Sequence, residues 1–426
     1  MMVAASTSTS RLARRIGFRG ALVVGLGAML GAGVFGAIGP AATAAGSGLL
    51  LGLCIAAALA ACNATSSARL AARYPRSGGA YVYAGRELHP MAGFVAGSAF
   101  LIGKLGSCAA MALVFGLYVW PEHHRTAAIL AVLACAIVNH LGITKTVRAT
   151  AVILAVVAVG LLAVVVGTLG GGQASIDTLQ QGSDDGVRGI LESAGLLFFA
   201  FAGYARLSTL GEEVREPERV IPRATALSVV IAFVVYLLVM GSALAAVGAD
   251  ALAASSEPLV AAVRAGDLDG LVPLVTLAAG VATLGVLLSL LAGISRTAFA
   301  MAANRDLPRP LAAVHRQHRV PHVAGFVVAI LVCGLVALLD LRESIAISSV
   351  LVLTYYALAN LSALRLPVGR AGALAAVSLV GFLGCAVVVA FLPLPAVLAA
   401  GGVLCLMIAA RLAVPRRSRP RGAAAR

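Results

Sequence analysis

Charge is scarce in this chain. Asp, Glu, Lys and Arg make up 12% of its 426 residues and hydrophobic residues 61%, where soluble domains carry about 25% charge. Mean hydropathy is +1.00, so a water-soluble globular domain is excluded. Lysine is nearly absent, present only as Lys104 and Lys145. The seven cysteines (Cys54, Cys62, Cys108, Cys135, Cys333, Cys385 and Cys405) all lie in apolar stretches and form no CxxC pair. That excludes a zinc ribbon and a disulfide framework and leaves small packing residues. No metal-ligand cluster, nucleotide-binding loop or nucleophile constellation is present, so the sequence predicts no enzyme, no metal and no cofactor. No cleavable signal stands out, since the first apolar run is too long for a signal-peptide core. The formal charge of +15 sits in short loops and tails. It forms no basic patch on a soluble domain, which argues against a nucleic-acid partner.

What the chain has is length of apolar sequence. A bilayer crossing takes about 20 apolar residues. Runs of that order lie near 20–44, 48–71, 91–118, 126–143, 149–170, 190–211, 224–247, 271–301, 323–339, 345–364, 373–391 and 394–412. Twelve crossings put both termini on one side. With the termini inside, 26 of the 32 basic residues fall in inner segments, and only Arg125, Arg188, Arg264 and Arg342 fall outside. Basic residues mark the cytoplasmic side, so the sequence predicts a multi-pass protein of the plasma (inner) membrane with both termini cytoplasmic. Its basic tail, 413–426, is expected to face anionic lipid. No obligate protein partner is evident.

Two of these runs are interrupted. The first reads GALVVGLGAMLGAGVFGAIG from Gly20 to Gly39, with Gly31, Ala32 and Gly33 near its middle. Glycine costs about 1 kcal/mol against alanine inside a helix and frees the backbone to leave helical geometry. At membrane depth, freed backbone groups are tolerated only against protein or a cavity. The sixth run carries the matching small-residue step, Phe201-Ala202-Gly203-Tyr204, inside an aromatic cluster. Paired interruptions are the mark of transporters built from inverted repeats, with the binding site between them. Gly25 and Gly27 read as helix-packing positions.

Several side chains stand out around the two breaks. Phe199, Phe201 and Tyr204 are candidates for side-chain recognition and for an occluding gate. Lys104 lies in the middle of the third run (SAFLIGKLGSCAAMAL), and a mid-membrane ionisable residue is a functional candidate by default. It is a candidate for contact with a substrate carboxylate, for the coupling proton or for a buried pair. Its charge disfavours cationic substrates. Arg206 is a pathway candidate that could pair with Glu212 or Glu213. Asn63, Asn139, His140, Ser289 and Asn360 read as interhelical hydrogen-bonding residues, and Tyr355 and Tyr356 as pathway candidates. A charged, proline-punctuated inner loop is expected from Glu212 to Arg223.

Five motifs, in order and over nearly the whole chain, carry a family resemblance. They are GLGAMLGAGVFGAIGP, RYPRSGGAY (Arg73 to Tyr81), FFAFAGYARLSTLGEEVREPERVIPRA (Phe198 to Ala224), SRTAFAMAANRDLP and LTYYALANLSALRLP. Together they resemble the amino acid–polyamine–organocation (APC) transporter superfamily. The resemblance implies an all-α polytopic fold of about twelve transmembrane helices. Its five-plus-five inverted-repeat (LeuT-like) core would have discontinuous helices 1 and 6. The expected organisation is a cytoplasmic segment 1–19, a first repeat 20–170, an extracellular loop 171–189, a second repeat 190–364, accessory helices 365–412 and the tail 413–426. By the same resemblance, Gly31, Ala32 and Gly33 would offer backbone N–H groups to a substrate carboxylate. Carbonyls around Met29, Phe201 and Ala202, beside Gly203, would take its amino group.

The implied activity is secondary transport of amino acids by alternating access, proton-coupled or by exchange. Export, polyamine or cationic-amino-acid antiport, and non-transporting amino-acid sensing are the rival readings. A channel would want rings of polar residues, and no run shows a polar stripe. One departure from the family leaves the coupling open. Many proton-coupled relatives have a lysine in the fifth span, and Ala149–Gly170 has no ionisable residue.

Overall fold

The fold is built from α-helices; among the described residues β pairing is limited to one bridge between Ile16 and Val214. The computed structural model describes residues 16–31, 33–74, 78–142, 147–172, 174–180, 186–208, 213–315, 317–318, 320–366 and 372–413. The first group of helices is α1 (Phe18–Met29), α2 (Gly33–Ala45), α3 (Leu49–Arg73), α4 (Ala80–Glu87), α5 (Pro90–Val119), α6 (His124–His140) and α7 (Val147–Gly170). The second is α8 (Gly186–Phe201), α9 (Ala205–Ser208), α10 (Pro217–Ala254), α11 (Pro258–Ala265), α12 (Val272–Ala303), α13 (His322–Leu338) and α14 (Leu341–Leu364), and α15 (Gly372–Phe391) and α16 (Leu394–Ala413) close the chain.

The same order occurs twice. A broken helix is followed by a long helix and then an 8-residue helix (α4, α11). Helices of 30 and 32 residues come next (α5, α12), then 17 and 17 (α6, α13), then 24 and 24 (α7, α14). With the five crossings per group expected from the sequence, the second group would enter from the opposite side and the repeats would be inverted. Nine described segments are long and apolar enough to cross a membrane, one of them running through both α2 and α3. The shorter apolar helices α1 and α13 and the 17-residue α6 occupy the remaining expected positions. The chain is a polytopic membrane protein of the expected fold class.

Local chemistry sets the boundaries. Proline at the first position starts α5, whose N-cap His89 accepts from the Met91 N–H at 3.2 Å; the missing proline N–H would have been unpaired there anyway. A reciprocal capping box starts α14: the Asp340 side chain accepts from Glu343 N (2.7 Å) and the Glu343 side chain from Asp340 N (2.9 Å). In the RYPRSGGAY motif, Gly78 and Gly79 adopt φ of +132° and +55°, where L side chains are strained. A side chain on Gly79 would also strike the Tyr355 hydroxyl; Pro75, Arg76 and Ser77 lie outside the described residues.

One boundary differs from the sequence reading. The stretch Pro217–Arg223 is the first part of α10 rather than loop. Pro217 stands at the helix start, where proline is pre-organised. Pro222 removes one bond to the exposed Glu218, whose carbonyl water can serve.

Packing separates core from periphery. α5 packs between α14 and α12, α2 lies against α8, and α3 against α8 and α10. α15 leans on α14 and α3, whereas α16 touches the bundle lightly. On α16 Leu398, Leu406 and Leu412 are all exposed, as are Val152 and Leu162 on α7 and Ile330 on α13. Exposed leucine and isoleucine in such numbers fit a hydrocarbon surround.

Candidate binding site between the broken helices

Both interruptions are breaks in the backbone. α1 ends at Met29, and Leu30 N–H closes the last turn on Leu26 O at 2.7 Å. α2 begins at Gly33. Ala32, expected in the site, lies outside the described residues. On the other side α8 ends at Phe201 and a 3-10 turn over Ala202–Tyr204 leads into α9. The two breaks touch. A Cβ on Gly203 would stand 2.9 Å from Met29 N and nearer still to the Ala28 carbonyl. A Cβ on Gly33 would stand 2.6 Å from the Cβ of Ala200. Glycine is required at both places for backbone to approach backbone.

A tyrosine ties the breaks together. The Tyr236 hydroxyl, on α10, lies 2.6 Å from Met29 O and 3.1 Å from Ala200 O. Its ring is fully buried and meets Phe201 edge-on at 5.1 Å. The carbonyl of Met29 comes at the end of α1, where no helical donor follows, and Tyr236 supplies one. The sequence reading passed over this residue, although a lone hydroxyl in the apolar run AFVVYLLVM needs a partner at that depth.

A cavity of about 40 Å³ opens where the breaks meet. Of the residues expected in the site, Met29, Gly33, Phe199, Gly203 and Lys104 line it. Ser107, Met111, Val286 and Leu290, which the sequence did not single out, complete the wall with Ala28 and Ala200. Ser107 was findable, since it stands three residues past Lys104 and therefore on the same helix face. Its hydroxyl is 2.8 Å from that of Ser348 on α14.

Lys104 is buried, and its ammonium donates to the Ala202 carbonyl at 3.5 Å, at the long limit of a hydrogen bond. Its Nζ also stands 6.0 Å from the Phe100 ring centroid. Among the described residues it forms no ion pair, the three pairs found being Arg219–Glu216, Arg342–Glu192 and Arg411–Asp306.

The remaining expected residues stand behind this wall. At Gly31 the space a side chain would need is filled by Val286. Phe201 is turned toward Tyr236, and the buried Tyr204 ring lies 5.1 Å from Tyr356. Ala202 contributes its carbonyl to Lys104. Arg206 is partly buried in α9, within electrostatic reach of Arg296 and Glu213; Glu212 lies outside the described residues. Asn63 accepts from Asn360 at 2.6 Å, and Asn139 donates to Leu288 O at 3.2 Å, both between helices. The Tyr355 hydroxyl receives the Ala80 N–H at the start of α4, at 2.9 Å. Among the described residues no group of His, Cys, Asp or Glu is arranged to hold a metal ion.

A bundle of membrane-length helices with two touching helix breaks and a cavity between them is the arrangement of a membrane transporter. The chain belongs to the amino acid permease family, whose sequence pattern matches residues 20–392. It is 50% identical over 411 residues to an uncharacterized transporter of Mycobacterium tuberculosis, covering 96% of this chain and 93% of that protein. It is 25% identical to the branched-chain amino acid permease BcaP of Bacillus subtilis, over 76% of this chain and 74% of the permease. It is also 27% identical to the vacuolar cationic amino acid transporter 2 of Arabidopsis thaliana, over 84% and 60%.

Proposed function

We propose that this protein is a secondary transporter that moves small aliphatic amino acids across the plasma membrane by alternating access, with the cavity between the two helix breaks as its substrate site. The observation that carries the reading is the contact of the two breaks around one cavity: Gly33 and Phe199 from one pair of half-helices, Met29 and Gly203 from the other. A half-helix N-terminus at Gly33 favours a carboxylate. Phe199, Met111, Val286 and Leu290 favour an apolar side chain. The similarity to a branched-chain amino acid permease supports the same class. The similarity to a cationic amino acid transporter favours a basic substrate instead. Lys104 in the wall, with no carboxylate side chain lining the cavity, weighs against that. Proton coupling or exchange is the proposed mode, with Lys104 as the titratable group in the cavity. Orientation with both termini cytoplasmic rests on the distribution of arginine.

The test is uptake of a panel of labelled amino acids by proteoliposomes, with pH and sodium gradients imposed separately. Saturable uptake of at least one small aliphatic amino acid is expected. A panel in which nothing exceeds protein-free liposomes rejects the reading. Gly33 is a poor site for mutation, because any side chain there strikes Ala200 and disturbs packing as well as binding. Val286→Phe fills the cavity from α12 and should abolish saturable uptake with membrane insertion intact. Unchanged affinity in that variant would remove the cavity from consideration.

A further inference from the structure

We propose that this cavity also accepts small aliphatic monocarboxylates that have no amino group, because Lys104 supplies the ammonium from within the protein. The inference rests on reading the cavity as the substrate site and extends its substrate class.

An amino acid bound at a helix break needs carbonyl oxygens for its ammonium. Here two of the carbonyls at the breaks already have donors. Met29 O receives the Tyr236 hydroxyl and Ala202 O receives the Lys104 ammonium. A substrate ammonium would have to share one of these oxygens with its present donor or use another carbonyl of the breaks, and at the Ala202 carbonyl it would stand beside a like charge. A bare carboxylate competes for neither.

The charge balance points the same way. An ammonium has three donors, and Lys104 makes one long hydrogen bond, no ion pair among the described residues and a distant ring contact. An unpaired cation at membrane depth is costly. A zwitterion brings no net charge and leaves that cost in place, whereas a monocarboxylate cancels it. Ser107 is the other polar side chain of the wall. Met111, Val286 and Leu290 suit a short hydrocarbon tail. A volume of about 40 Å³ corresponds to roughly three water molecules at ~10–15 Å³ each, which keeps the tail short.

The experiment is equilibrium binding to the purified full chain, with matched pairs: alanine and propanoate, valine and 3-methylbutanoate, leucine and 4-methylpentanoate. The uncharged 3-methylbutanamide serves as a control. In the wild type, at least one carboxylate should bind no more weakly than its amino acid, and the amide should not bind. In Lys104→Met, which shortens the side chain by one atom, removes its charge and frees the Ala202 carbonyl, carboxylate binding should fall at least about tenfold, the equivalent of 1.4 kcal/mol. The amino acid should hold or gain, so that the order reverses.

Amino acids that bind while no carboxylate does overturn the proposal and leave the permease reading standing. Failure of both classes overturns both. Equal loss of both classes in Lys104→Met makes the lysine structural and also overturns the proposal. Should that variant fail to fold, the wild-type ranking and the amide control decide alone.

Discussion

Tyr236→Phe tests whether the hydroxyl that bridges the two breaks holds this conformation. The substitution keeps the ring and its 5.1 Å contact with Phe201 and opens no cavity. It takes away one proton shared between Met29 O at 2.6 Å and Ala200 O at 3.1 Å. A buried carbonyl left without a donor costs about 1–3 kcal/mol. The cost falls only on the arrangement in which both breaks close on Tyr236, since a break opened to water finds other donors. The closed population should therefore drop by about 5- to 150-fold relative to open ones. Cys108 provides a native reporter: it lies on α5, one turn beyond Lys104, and is wholly buried. Its labelling by a small water-soluble thiol reagent, resolved from the other cysteines by peptide mass spectrometry, should accelerate by that factor. An unchanged labelling rate in a variant that remains folded would refute the bridging role.

Arg411 and Asp306 form an ion pair of 3.0 Å with side chains only 8% and 12% exposed. Tyr81 also donates to Asp306 at 2.7 Å, and Arg411 stacks over Phe94 at 4.2 Å. Breaking one side of such a buried pair costs about 3–5 kcal/mol. Asp306→Asn and Arg411→Met should each lower the melting temperature in detergent, and the double variant should lose less than the two losses added; strict additivity would show the pair to be uncoupled. His315, in the segment joining α12 to α13, is held below the ordinary imidazole range by desolvation and then by His318, His140 and His322. Its ring lies 5.0, 5.2 and 5.5 Å from theirs in turn, at His318, His140 and His322. A lowered basic group favours the packed cluster when neutral, so that packing is present at higher pH and weakens as pH falls. The NMR titration midpoint of His315 should lie below the free value of about 6.5 and rise in His140→Ala; a midpoint that ignores His140 would sink this account.

The sequence disclosed the membrane segments well because each is a local property. The run read at 149–170 is α7 at Val147–Gly170, and the run at 271–301 is α12 at Val272–Ala303. The two breaks were legible for the same reason, since glycine in an apolar run is unusual wherever it lies. The short helices α4 and α11 were not, being 8 residues long and below any membrane-length window. Longer-range facts were hidden. That Gly33 is there to admit Ala200, and that the space at Gly31 is taken by Val286, depends on α8 and α12, far away in the chain. Tyr236 was masked by its apolar neighbours, because the need for a partner is visible in sequence and the partner is not. Lys104 was conspicuous as a charge, yet its acceptor on Ala202 exists only because the second break exposes that carbonyl.

The repeat explains why the cavity is lopsided. Lys104 and Val286 each stand fourteen residues past the first residue of their helix, α5 from Pro90 and α12 from Val272. Equivalent helices thus present equivalent positions to the same cavity, as expected if it lies on the axis relating the repeats. A strictly symmetric site would bind a strictly symmetric ligand in two equal orientations. Here one repeat contributes a cation and the other a valine, with Leu290 on the valine side and Ser107 on the lysine side. The polar end of any ligand is thereby directed to Lys104 and Ser107 on α5 and its hydrocarbon end toward Val286 and Leu290 on α12, with Met111 of α5 completing the apolar wall. Exchanging the two residues in Lys104→Val/Val286→Lys would reverse that polarity while conserving charge and nearly conserving volume. If orientation is set by the lysine rather than by the half-helix dipoles, the exchanged protein should still bind carboxylates and should change its preference among tail shapes. Loss of all binding in a folded exchange variant would assign the anion to the backbone of the breaks instead.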